Sequence, residues 1–228
     1  MRAIFYSFQK ENDLRSIIVT DDSAKHLIVV RIRVNEEILV LNGCGQKALT
    51  KVMVIAKNYI ELIVLSVEDA KPTHKINLAI ANPKKEAFED ILKIAVELGI
   101  QNIYPLTSKY SQYSYIYNDR IQRILESALI QSNNPFLPAI HPQAELLDYL
   151  ESFDTPLYFF NSRQNNCGKP EKISKAQTIL IGPEGGFSLT EEDLILSKHN
   201  VFSIHLPTPI LRAPTAVASS IGYLLSLS

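Results

Sequence analysis

The apolar pattern of this chain changes character at Ala70-Lys71-Pro72-Thr73, and that change constrains the fold more than any other feature of the sequence. Before it lie short β-type runs at Ser16 to Thr20, Glu37 to Leu41, Lys51 to Ile55 and Tyr59 to Val67, divided by turn formers such as Asn42-Gly43-Cys44-Gly45 and Lys57-Asn58. These predict a small antiparallel sheet or barrel over residues 1–70. Proline lacks an amide donor and biases its predecessor towards extended backbone, so a domain boundary is expected at Pro72. After it, apolar runs alternate with amphipathic stretches, the signature of a largely parallel sheet covered by helices, expected over 73–228.

Strands are expected at Lys75 to Ala81, Gln101 to Leu106, Leu157 to Phe160, Thr178 to Ile181 and Val201 to Leu206. Helices are expected at Lys85 to Leu98, Asn118 to Gln131, Thr190 to His199 and Thr215 to Leu227. In the first of these, Phe88, Ile91, Leu92, Ala95 and Leu98 form one stripe and Gly99 supplies the stop. Ser188, Thr190, Glu191, Glu192 and Asp193 suit a helix N-terminus, through capping oxygens and negative charge beside its free amides.

Composition narrows the function classes. With 46% apolar and 21% charged residues in 228, the chain suits globular domains and not disorder. No run approaches a bilayer-spanning length, and the first residues lack a secretory core, so a cytosolic protein is expected. Cys44 and Cys167 show no CxxC spacing and the five histidines show no paired-ligand pattern, so no metal site is expected. The net charge of −1 means that any nucleic-acid surface must be a local patch.

Two segments carry the chemistry. Ile181-Gly182-Pro183-Glu184-Gly185-Gly186-Phe187-Ser188 follows an apolar strand and precedes a capped helix. Glycines at the carboxyl end of a strand let a ligand approach the backbone, and in open α/β sheets ligands bind at that end. The run matches neither GxxxxGK[ST] nor GxGxxG, which disfavours a phosphate cradle. By motif shape a glycine turn and a ligand site are equally open readings. The second segment, Leu206-Pro207-Thr208-Pro209-Ile210-Leu211-Arg212-Ala213-Pro214-Thr215-Ala216, is a proline-stiffened loop entering a small-residue helix, with Arg212 isolated among apolar neighbours. Taken alone, Arg212 also reads as a surface arginine at a helix start and Thr215 as a cap.

Together these segments resemble the ribosomal RNA small subunit methyltransferase E family, enzymes of the SPOUT superfamily that methylate ring nitrogen 3 of a uridine in small-subunit (16S) rRNA. The likeness also takes in His26 to Val34, Lys84 to Gly99 and Glu126 to Pro138, so it spans nearly the whole chain. It implies a PUA-like β-rich RNA-binding domain followed by a trefoil-knotted α/β SPOUT domain, and a homodimer formed through the latter. It implies S-adenosylmethionine held by Gly182, Glu184, Gly185, Gly186, Leu206, Pro207, Ile210, Leu211, Arg212, Thr215 and Ala216. Arg212 is the side chain expected to take the catalytic role, as a positive donor stabilising charge on the uracil oxygens. By family position RNA contacts are expected from Arg31, Arg33, Lys84 and Lys85, each of which taken singly also reads as a solvated surface charge, and Tyr110, Tyr113, Tyr115 and Tyr117 suit either stacking on bases or packing over the sheet.

The chain departs from the family pattern in three places before and after Ile210-Leu211-Arg212. Pro207 and Pro209 stand in the segment where a Gly and a second Arg are usual, and Pro214 replaces an acid. Asn134 stands where an Arg is common. The general base is then His205, Glu184 or a group of the RNA. Two alternatives accompany the enzyme reading: an RNA-binding relative of impaired activity, and a small-molecule α/β enzyme that uses the glycine loop otherwise.

Overall fold

The computed structural model describes residues 2–8, 14–111, 113–161 and 176–227, which leaves Cys167 outside the described residues. They form two compact units: Met1–Pro72 with Leu125–Leu137, and Thr73–Ile124 with Pro138–Ser228.

The first unit holds β1 (Arg2–Phe5), β2 (Ser16–Val19), α1 (Asp21–Val29), β3 (Glu37–Leu41), β4 (Gln46–Ile55) and β5 (Ile60–Asp69). Its sheet runs in the order β1-β3-β4-β5-β2. The expected antiparallel sheet or barrel is corrected at one edge, where β1 pairs with β3 in parallel, Arg2 opposite Ile38 through Phe5 opposite Leu41. A two-residue hairpin cannot join parallel neighbours; here β2 and α1 lie between them in the chain. The β3–β4 turn is organised by Asn42, whose Oδ1 accepts from the amides of Cys44 and Gln46 at 2.9 Å each. Ile17, Val19, Leu27, Ile38, Val40, Val52 and Leu62 form the core, and β4 alternates inward and outward residues as a one-sided sheet requires. Residues 125–137, expected within the second domain, pack with this unit: Gly45 donates its amide to the Pro135 carbonyl at 2.9 Å.

The second unit holds β6 (Ile76–Ala81), α2 (Lys85–Glu97), β7 (Asn102–Thr107), the start of α3 (Asp119–Ser132), β8 (Ala139–Ile140), β9 (Ala144–Glu145), α4 (Leu146–Ser152), β10 (Leu157–Phe160), β11 (Gln177–Ile181), α5 (Leu189–Leu196), β12 (Val201–Ile204) and α6 (Ala213–Leu225). The sheet order is β12-β10-β11-β6-β7-β8, with β9 also beside β7, and every pair is parallel. All residues of β6 and β11 are buried, as in a sheet covered on both faces.

α2 buries Phe88, Ile91, Leu92 and Ala95 on one face. It ends in a Schellman motif, with the Gly99 amide donating to Val96 at 3.1 Å and the Ile100 amide to Ala95 at 2.8 Å. Gly99 has φ +72°, the left-handed conformation this motif needs. α6 begins at Ala213, two residues ahead of expectation, because Pro214 occupies its first turn, where a missing amide hydrogen costs no helical bond. Arg212, not Thr215, is therefore the residue at the helix cap.

Candidate active site

In this order β10 lies between β12 and β11, so the carboxyl ends of three strands from separate parts of the sequence come together. Between them and α6 lies a cavity of about 300 Å³. β10 supplies Phe159, Phe160 and Asn161, β11 leads into the glycine loop, and β12 leads into the proline-stiffened loop.

Each segment is held by its own sequence. After Ile181 the chain turns tightly, the Gly186 amide donating to the Pro183 carbonyl at 2.8 Å, with Gly186 at φ +68°. Gly182 matters for packing: a Cβ there would lie 3.2 Å from the Phe187 ring. That ring is buried edge-on against Phe159, with centroids 5.7 Å apart. A Cβ on Gly185 would meet the Cβ of Tyr110 at 3.2 Å, so this glycine makes room for a neighbouring loop. Asn161 ties β10 to β12 by donating from Nδ2 to Ser203 Oγ at 2.7 Å.

α5 starts at Ser188 with a capping box. Glu191 donates its amide to Ser188 Oγ at 3.4 Å, and the Glu191 carboxylate accepts from the Ser188 amide at 2.7 Å. Glu191 also accepts from the Lys109 amide at 2.7 Å, joining the loop after β7 to the glycine loop. Burial pushes the Glu191 carboxyl up, but the hydrogen bonds from Lys109 and Ser188 outweigh it and hold the group below the usual carboxylate range. Its stabilisation is complete above that range and is lost as pH falls through the lowered value. Ser188→Ala is expected to cost about 1 kcal/mol, read by denaturant unfolding; an unchanged midpoint would show the cap contributes nothing.

Of the residues expected to hold a ligand, Gly182, Glu184, Gly185 and Gly186 line the cavity from one side, and Leu206, Ile210, Leu211 and Ala216 from the other. Pro207, Arg212 and Thr215 stand outside the lining, all three exposed. Arg212 sits directly between Leu211 and Ala213, which both line the cavity. Both candidate bases, His205 and Glu184, are on the wall, but Glu184 Oε1 already accepts from the Lys84 amide at 3.1 Å. Sequence reasoning missed the β10 residues, Glu192 and Ser220 as wall residues, since no local motif marks them and only the packing of separate elements brings them here; Phe187 lies within the glycine motif but was not assigned to the wall.

The wall is chemically divided. Aromatic rings, Ile181, Leu206 and the alanines of α6 are apolar, whereas the two carboxylates, Glu184 and Glu192, are on the glycine loop and α5. That set suits a ligand with a flat neutral part and a positive part, and it repels phosphate.

The comparisons with known proteins agree in one direction. A family described as RNA methyltransferase domain matches residues 69–225. The ribosomal RNA small subunit methyltransferase E of Rickettsia conorii is 30% identical over 201 residues, covering 85% of this chain and 82% of that protein. The chain belongs to that methyltransferase family. Its Aquifex aeolicus member is 27% identical over 232 residues, 98% of this chain and 99% of that protein. Among solved structures, the Neisseria gonorrhoeae ribosomal RNA small subunit methyltransferase E bound to S-adenosylmethionine superposes with a TM-score of 0.88 at 24% identity, covering 100% of this chain and 98% of that one. A Legionella pneumophila protein, also solved with S-adenosylmethionine, gives 0.85 at 21%, covering 98% and 96%. At those identities the likeness establishes fold: an α/β domain with a parallel sheet. Among the described residues no helix is long and apolar enough to cross a membrane.

Proposed function

We propose that this family member transfers a methyl group from S-adenosylmethionine to ring nitrogen 3 of a uridine in the small-subunit ribosomal RNA. The observation that carries this reading is the joining of the glycine loop and the Leu206 to Leu211 segment on one cavity. The donor fits what lines it: the adenine ring against apolar walls, and the positive amino and sulfonium groups towards Glu184 and Glu192. When bound it supplies an activated methyl group. The protein's part is to hold donor and acceptor in line and to lower the cost of charge on the uracil ring. Arg212, next in the chain to the wall residues Leu211 and Ala213, would donate to the uracil oxygens, and the wall residues His205 and Glu184 are the base candidates.

The three prolines do not favour an impaired relative. Pro214 is absorbed in the first turn of α6, Pro209 is part of the cavity wall, and Pro207 is exposed outside the lining. For RNA, exposed Arg31 and Arg33 on the first unit and exposed Lys84 and Lys85 on the second are proposed phosphate contacts. Arg31 adopts φ +56° just beyond α1, a conformation in which Gly or Asn would be more comfortable.

A homodimer through the second unit is supported by Ile210, an apolar side chain left 89% exposed at the cavity mouth. The trefoil knot is supported by the path of the last elements: β12 lies outside β10, yet α6 returns to pack on β11 and α2. The PUA-like reading of the first unit is supported by its small, mostly antiparallel sheet, and a ribosomal RNA substrate implies a cytoplasmic site of action.

The test is methyl transfer from labelled donor to small-subunit ribosomal RNA, mapped by mass spectrometry of the digested RNA. One uridine should gain a methyl on ring nitrogen 3. Label on a ribose, on another base, or on no nucleotide would overturn the assignment.

A further inference from the structure

The α6 side of the cavity carries a buried polar side chain, Ser220. Ser220 lies in the middle of α6, fully buried, and its Oγ has no hydrogen-bond partner among the described residues. A helical serine commonly satisfies itself by bonding to the carbonyl one turn back, and this one does not. Buried hydroxyls are almost always paired, so an orphan on the wall of a cavity marks a bond awaiting a ligand.

Its surroundings define what that ligand group can be. Ala213, Ala216 and Ser220 fall at i, i+3 and i+7, one face of α6, and all three line the cavity. The alanines leave space but offer no hydrogen bond, which makes Ser220 the polar position of this face. Flanking it in the helix are Val217, Ile221 and Leu224, all fully buried. A charged ammonium or carboxylate placed against so apolar a wall would lose its hydration without a counter-charge. The carboxylates that could compensate, Glu184 and Glu192, belong to other elements of the cavity. A neutral heteroaromatic edge loses far less, and a hydroxyl both donates and accepts, so it can meet a ring nitrogen or an amino group.

We propose that Ser220 is a specificity residue of the donor pocket, its hydroxyl bonding the polar edge of the donor's adenine ring. The proposal rests on the reading of this cavity as the S-adenosylmethionine site. It orients the donor, with adenine against α6 and the amino-acid end towards the glycine loop and α5.

The experiment is isothermal titration of the full chain and of Ser220→Ala with S-adenosylhomocysteine and with three of its analogues, 1-deaza, 7-deaza and lacking the 6-amino group. Ser220→Ala should weaken S-adenosylhomocysteine binding by about fivefold to tenfold, the size of one net hydrogen bond. The unaltered protein should discriminate against at least one analogue, and Ser220→Ala should lose that discrimination, which a merely structural hydroxyl would not produce. Thermal melting of the ligand-free proteins should show Ser220→Ala at least as stable as the parent, since the substitution deletes an unpaired group. Equal affinity of both proteins for S-adenosylhomocysteine, or discrimination that survives in Ser220→Ala, overturns the role of Ser220 and leaves the pocket reading intact. Failure of the unaltered protein to bind S-adenosylhomocysteine overturns both.

Discussion

Gly182→Val is expected to abolish donor binding, lowering affinity for S-adenosylhomocysteine by about 100-fold or more, as overpacking displaces the surrounding loop. The reason lies in two contacts. A Cβ at position 182 would stand 3.2 Å from Cδ2 and Cε2 of Phe187 and 3.3 Å from the backbone carbon of Gly186. The ring is buried against Phe159 and cannot swing into solvent without breaking that pair, and the backbone contact is with the turn that shapes the cavity. Relief must therefore come from movement of the glycine loop itself. Two more methyl groups on a branched side chain enlarge the required shift, and the fold should lose about 1–3 kcal/mol as well. Gly182→Ala, with a single methyl, should give a smaller loss of the same kind. Calorimetric titration with S-adenosylhomocysteine, set beside thermal unfolding, reads both effects. Unchanged affinity in the valine variant would mean that the loop does not form the donor site.

Arg212→Ala is expected to lower the rate of methyl transfer by about 100-fold to 1,000-fold, the scale seen when one preorganised donor to a developing oxyanion is removed. The structure separates this effect from folding. Arg212 is exposed, sits at the cap of α6 with φ −67° and ψ 152°, and makes no side-chain capping bond. Its loss should change stability by no more than about 0.5 kcal/mol, as for surface positions generally. Because its side chain stands outside the cavity lining, donor affinity should also stay nearly constant. The signature is thus a fall in kcat with an intact melting curve and intact titration. Full methylation by Arg212→Ala would remove Arg212 from the chemistry, and a large loss of donor affinity would reassign it to binding.

The legible part of the fold was the part with the strongest burial. β10 spans Leu157–Phe160 as its apolar run predicts, and β6 and β11 differ from expectation by one residue at one end. Strands buried on both faces read as continuous apolar runs, and α2 reads through its stripe and Gly99. Short edge elements did not declare themselves. β8 and β9 have two residues each and exist because β7 offers them a partner. α1 and α4 were passed over although Ala24 with Leu27, and Leu146 with Tyr149 and Leu150, have helical spacing; at 9 and 7 residues they are too short for periodicity to stand out.

The same division holds at the site. Residues alone determined the glycine loop, the proline-stiffened loop, the capped start of α5 and the membership of a methyltransferase family, because backbone freedom and helix capping are local properties. The tertiary structure decided which residues share a cavity. β10 inserts between β12 and β11 and α6 packs back on β11, so Phe159, Asn161 and Ser220 line one cavity that no single stretch of sequence encodes. Strand order is set by how whole elements cover one another's apolar faces, an energy shared among distant segments and therefore absent from any one of them.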